Sequence, residues 1–164
     1  MMGNKVSQKR KVKPIYLRRT RLAQLEILDK IVAKMIEERK AQVKRVISDI
    51  NSYYRDEIFR IVGEDDTSIT FQFETIEASV TENGILTGNG IHIANDEDKV
   101  YIYVPKLVGD GGRHYNIQHG MAQIKVKAKD SRLICEVRIW FPLLKLRELA
   151  LKDLEKKLER YQSL

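Results

Sequence analysis

Glu64-Asp65-Asp66-Thr67-Ser68-Ile69-Thr70-Phe71-Gln72-Phe73-Glu74 is the stretch on which the fold turns, because the spacing of the apolar residues changes across it. On its N-terminal side they recur every three or four positions: Leu22, Leu25, Leu28, Val32, Ile36, Val43, Ile47, Ile50, Tyr54, Ile58 and Ile61. Within it the interval drops to two, with Ile69, Phe71 and Phe73 alternating with Thr70, Gln72 and Glu74. The first period is that of a helix with one buried face; the second is that of a half-buried strand.

Between Arg19 and Gly63 there is neither Gly nor Pro. The spacing predicts one long helix over 20–62, with Thr20 as its cap and Gly63 as its stop. The apolar stripe thins at Glu37-Glu38-Arg39-Lys40, so the N-terminal half is free to leave the body and pack on another chain. Strands are expected over 67–141. Asn83-Gly84 reads as a hairpin turn with positive φ at both residues, and Ile85 to Ala94 as the return, interrupted by a bulge at Gly88-Asn89-Gly90. Asn95 to Asp98 makes the next turn, before Val100-Tyr101-Ile102-Tyr103-Val104. Met121–Lys129 and Leu133–Phe141 form a second hairpin across Asp130-Ser131-Arg132. Pro142 ends the sheet and opens a leucine-rich helix over 143–162. The reading is an α+β domain over 22–164: a long N-terminal helix, an antiparallel meander of five or six strands, and a C-terminal helix.

Charge is segregated. Residues 1–21 carry eight of the 30 basic side chains and none of the 23 acids, leaving 22 basic against 23 acidic groups in the remainder; the net charge of +7 therefore lies in one segment. Residues 1–21 read as a basic flexible arm in which Lys5, Lys9, Arg10, Lys11, Lys13, Arg18, Arg19 and Arg21 attract a polyanion, and Tyr16 stacks on a base or packs on the body. A second basic element follows from alternation. With Ile124, Val126 and Ala128 facing inward, Lys125, Lys127 and Lys129 face out, joined by Arg138 from the neighbouring strand and by Tyr101 and Tyr103.

The single Cys135 sits in an apolar alternation and reads as a buried, inert thiol, which favours a reducing, cytoplasmic setting. No stretch reaches the roughly 18 apolar residues of a membrane span. Abundant isoleucine, lysine and glutamate resemble a thermophile's composition. Met2-Gly3-Asn4-Lys5-Val6-Ser7 fits an acylation pattern only if Met2 starts the chain. His114 and His119 with Asp110 offer imidazole and carboxylate ligands, and Gly109-Asp110-Gly111-Gly112 offers amides to an anion, yet the spacing matches no metal or nucleotide-loop signature. His92 reads as a surface residue between Ile91 and Ile93. No catalytic residue, metal or cofactor is assigned.

The expectation is a non-enzymatic protein that binds DNA or RNA, free or within a ribonucleoprotein or viral particle, through the phosphate backbone. The alternative is a homo-oligomeric scaffold assembled through its helices, a homodimer along the long helix for example, whose arm contacts an acidic protein.

Overall fold

Helix α1 spans Pro14–Tyr54 in the computed structural model, which describes residues 14–106 and 111–162, with side chains described for 23–106 and 111–160. Pro14 at the first position suits a helix start, where a missing amide costs nothing. The helix thus takes in Thr20, the expected cap, and residues 14–21 of the expected arm; residues 1–13 lie outside the described set. At the other end the expected stop at Gly63 is corrected. The Asp56 amide donates to the Asn51 carbonyl at 3.1 Å and the Arg55 amide to Ser52 at 3.2 Å, with Arg55 in the left-handed region at φ 55°. This is a Schellman closure with arginine where glycine is usual. Asn51 then holds the returning chain: its Nδ2 donates to the Phe59 carbonyl at 2.8 Å and its Oδ1 accepts from the Phe59 amide at 3.0 Å. Ile58 and Ile61 kept the helical interval by coincidence of phase, although Ile61 belongs to a strand.

Nine strands follow among the described residues: β1 (Arg60–Glu64), β2 (Ser68–Thr75), β3 (Ala78–Val80), β4 (Gly84–Thr87), β5 (His92–Asp96), β6 (Lys99–Val104), β7 (Arg113–Gln118), β8 (Met121–Lys129) and β9 (Arg132–Trp140). Helix α2 closes the chain at Leu143–Gln162. The α+β class and the antiparallel pairing are as the periodicity predicts. The strands divide, however, into a four-stranded sheet ordered β1-β2-β9-β8 and a five-stranded meander β3-β4-β5-β6-β7. The chain leaves the first sheet after β2 and rejoins it at β8, so β2 pairs with β9 from Ser68↔Trp140 to Thr75↔Leu133. No local signal announces a partner that far along the chain.

The hairpin at Asn83-Gly84 forms with neither residue at positive φ. Glycine is needed there for room, since a Cβ on Gly84 would lie 2.1 Å from the Ile93 carbonyl oxygen. The expected return over Ile85–Ala94 is two strands, β4 and β5, joined by a turn at Gly88–Gly90. The β8–β9 hairpin forms where expected, Lys129 opposite Arg132, with Asp130 at φ 57°.

The chain divides into two compact units, Met1–Lys34 with Arg147–Leu164, and Met35–Leu146. The larger unit holds both sheets. Its core takes Ile69, Phe71 and Phe73 of β2, Cys135, Val137 and Ile139 of β9, Ile85, Ile93, Ile102 and Ile117 of the meander, and Ile36, Val43, Ile47 and Ile50 of α1, all buried. Each such side chain contributes about 1.5–3 kcal/mol on burial. Phe59 stacks on Phe71 with ring centroids 5.0 Å apart. Asn95 of β5 links the sheets: its Nδ2 donates to the Ala122 carbonyl on β8 at 2.9 Å, and its Oδ1 accepts from the Ala122 amide at 2.7 Å. A side chain thereby supplies the edge of β8 with the bonds a neighbouring strand would make. In the smaller unit Val32 and Ala150 are buried and Arg147 pairs with Asp29 at 3.8 Å, while Leu25, Ile27, Leu151 and Leu158 are about half exposed.

A left-handed backbone costs a non-glycine residue about 1 kcal/mol. Arg55→Gly is therefore expected to raise the unfolding free energy by about 1 kcal/mol in urea titration; an unchanged or lower midpoint would contradict the closure described for α1.

Candidate nucleic-acid interface

The face of the four-stranded sheet turned away from the core is built by alternation. With Ile69, Phe71 and Phe73 inward, β2 turns Thr70, Gln72 and Glu74 outward, and the registers Gln72↔Glu136, Thr70↔Arg138 and Lys125↔Glu136 carry this face across β9 to β8. Arg60, opposite Gln72, extends it onto β1. Six cations (Arg60, Lys125, Lys127, Lys129, Arg132, Arg138) and two carboxylates (Glu74, Glu136) occupy its strand positions, an excess of four positive charges.

Some of these charges are used locally. Arg132 Nη1 lies 3.0 Å from Glu74 Oε1, and Arg138 Nη2 lies 3.8 Å from Asp65 Oδ2 while its guanidinium stands 5.4 Å from the Trp140 ring centroid. Gln72 donates to Glu136 at 3.0 Å. Asp65 is held below the usual carboxylate range by hydrogen bonds from Ser68 and Thr67 and by the Arg138 charge. Lys125, Lys127, Lys129 and Arg60 are exposed and form no ion pair among the described residues. Alternate positions of one strand set successive Cα atoms on this face about 6.6 Å apart, so Lys125, Lys127 and Lys129 form an evenly spaced basic row along β8.

Lys125, Lys127, Lys129 and Arg138 are thus brought together as expected, and Arg60 and Arg132 join them. Arg60 carries no strand signal in the sequence, because Ile58 and Ile61 on either side of it stay in helical phase, and Arg132 follows Asp130-Ser131 in a segment that reads as a turn. Tyr101 and Tyr103 are not on this face. They lie on β6 in the other sheet, beside His92 of β5 and His114 of β7. Lys5, Lys9, Arg10, Lys11 and Lys13 lie outside the described residues, and Tyr16, Arg18, Arg19 and Arg21 fall in α1 where side chains are not described.

Of His114, His119 and Asp110, the two histidines do not share partners. Asp110 lies outside the described residues, and the two imidazoles have different neighbours. His114 meets Tyr101, whereas His119, at φ 64° after β7, accepts at Nδ1 from Arg39 Nη2 at 2.7 Å, with Nε2 3.8 Å from Asp98 Oδ2. Among the described residues no group of three or more His, Cys, Asp or Glu side chains is arranged to hold a metal ion. Cys135 is buried, which pushes its thiol above the usual range. No helix among the described residues is long and apolar enough to cross a membrane.

No protein-family model, curated protein or solved structure matches the chain.

Burial and the Arg39 charge lower the His119 pKa below its ordinary 6.5, with Lys145 adding to the effect and Asp98 opposing it. Folding therefore weakens proton binding at this ring, so its contribution to stability is complete above about pH 6.5 and is lost as pH falls through the folded value. His119→Asn, which tolerates the left-handed backbone, is expected to flatten the fall in unfolding free energy as pH drops below about 6.5. An identical pH profile in urea titrations of both chains would refute this assignment.

Proposed function

We propose that this is a non-enzymatic nucleic-acid-binding protein that grips the phosphate backbone of DNA or RNA, free or within a larger ribonucleoprotein or viral particle. The basic segment 1–21 and the outer face of the four-stranded sheet supply the contacts. The observation that carries the reading is the accumulation of cations: eight in the first 21 residues of the sequence without an acid among them, and an excess of four on one sheet face, where Lys125, Lys127 and Lys129 form no ion pair among the described residues. Backbone contacts of this kind carry little sequence information, so binding is expected to be sequence-tolerant and strongly salt-dependent. The buried thiol suits a reducing compartment, and we place the protein in the cytoplasm.

A second reading, assembly of copies through helices with the basic segment on an acidic protein, draws on the smaller unit. Leu25, Ile27, Leu151 and Leu158 expose 47–51% of their surface there. Light scattering at high micromolar concentration distinguishes this reading: a dimer or larger particle that dissociates on Leu151→Glu supports it, and a strict monomer removes it.

For the leading reading, each phosphate neutralised contributes about 0.9 to the slope of log affinity against log salt on duplex DNA. Replacing Lys125, Lys127 and Lys129 by Gln is expected to weaken binding and lower the slope by about 2 to 3, and replacing Lys5, Lys9, Arg10, Lys11 and Lys13 by Gln to lower it further. No binding of DNA or RNA at low salt would overturn the proposal; an unchanged slope in the first variant would remove the sheet face from it.

A further inference from the structure

Away from the basic face, the five-stranded sheet turns a cluster of rings to solvent. Its core side is occupied by Ile93, Val100, Ile102, Val104 and Ile117, all buried, so the intervening residues face out. The register sets Leu86, His92, Tyr103 and His114 opposite one another on four successive strands, with Tyr101 opposite Ala94 in the adjoining row. The rings touch. Tyr103 and His114 have centroids 4.7 Å apart, Tyr101 and His114 5.8 Å, and His92 and Tyr101 5.6 Å. Tyr101 Oη and His114 Nδ1 are hydrogen-bonded at 2.7 Å.

Two features make this more than a solvated strand face. The four rings form a continuous patch about 10 Å across at the usual strand spacing, with His114 exposed and His92, Tyr101 and Tyr103 partly exposed, and the exposed Leu86 extends it at one side. Ala94 opposite Tyr101 contributes only a methyl group, so no bulky side chain meets the ring from that position. The carboxylate at the strand positions of this face, Asp96 at the end of β5, is paired with Lys99 at 3.9 Å, so little repels a polyanion.

We infer that the Tyr101, Tyr103, His92 and His114 surface is a stacking platform for unpaired nucleobases, so that the protein prefers single-stranded nucleic acid. The inference rests on the phosphate-binding reading above and names its substrate class. Rings on an open sheet accept bases by stacking with little regard to sequence, while cations elsewhere hold the chain by its phosphates. Bases in a duplex are already stacked on their neighbours and offer no free face to such a platform.

The test compares three labelled DNA probes by fluorescence anisotropy with the full chain: a single strand of about 12 nucleotides, a strand of that length lacking all its bases, and a duplex. The base-bearing single strand is expected to bind about tenfold tighter than the abasic strand. The double variant Tyr101→Thr with Tyr103→Thr is expected to bind both strands alike, with duplex affinity unchanged. Equal affinity of the wild-type chain for base-bearing and abasic strands overturns the inference, as does a double variant that keeps the difference. Should the double variant fail to fold by circular dichroism, His114→Ala at the exposed edge of the cluster replaces it. A several-fold loss of discrimination then supports the platform, and none removes it. Salt-dependent binding of all three probes without discrimination sinks this inference alone, whereas absence of binding to any probe sinks the phosphate reading with it.

Discussion

Burial of the second half of α1 by both sheets of the larger unit is the constraint on which the other features rest. Ile36, Val43, Ile47 and Ile50 lie along one side of the helix and are buried with the inward residues of β2, β9 and the meander. The flanks of that stripe are tied to each sheet separately. Lys40 and Lys44 reach Glu64 on β1 at 2.8 Å, while on the β7 side Tyr115 donates to Asp49 and the Arg113 guanidinium stands 4.7 Å over the Tyr53 ring. Neither sheet therefore has an inner face to spare.

Lys40 illustrates how this helix meets a charge inside its apolar stripe. Burial pushes the pKa of its ammonium down, but hydrogen bonds to Glu64 and Glu37 outweigh that and leave it above the usual lysine value. With the Asp65 carbonyl at 2.7 Å, the three donors of the ammonium each have an acceptor. A buried charge so satisfied specifies position more than it stabilises, because desolvation offsets most of the attraction. In the primary sequence Glu37-Glu38-Arg39-Lys40 looks like a gap in the stripe. In the fold, Lys40 fixes β1 against the helix and Arg39 fixes the β7–β8 turn through His119.

The two outward faces are then released for different chemistry. The four-stranded sheet turns out lysines and arginines, which suit phosphates; the five-stranded sheet turns out tyrosines and histidines, which suit the flat faces of bases. On the proposed reading, a polyanion with unpaired bases would use both kinds of contact, one on each sheet. The long β2–β9 ladder makes the basic face possible, since it brings Arg60 and Arg138, nearly 80 positions apart in the chain, onto one surface.

Much of this was legible in the chain itself. A period of 3.6 before Glu64 and of two after it is a property of local sequence, so the helix, the strands, the terminal helix after Pro142 and the outward lysines of β8 follow from residue order alone, as does the segregation of charge into residues 1–21. Tertiary structure decided where α1 stops, because Ile58 and Ile61 stay in helical phase and only the Arg55 closure and the Asn51 clamp on Phe59 break it. It also decided that the strands form two sheets and that the tyrosines sit with His92 and His114 and not with the lysines. Strand alternation reports which way a side chain points, but pairing between distant strands depends on core packing summed over the whole chain, and no short stretch of residues contains that sum.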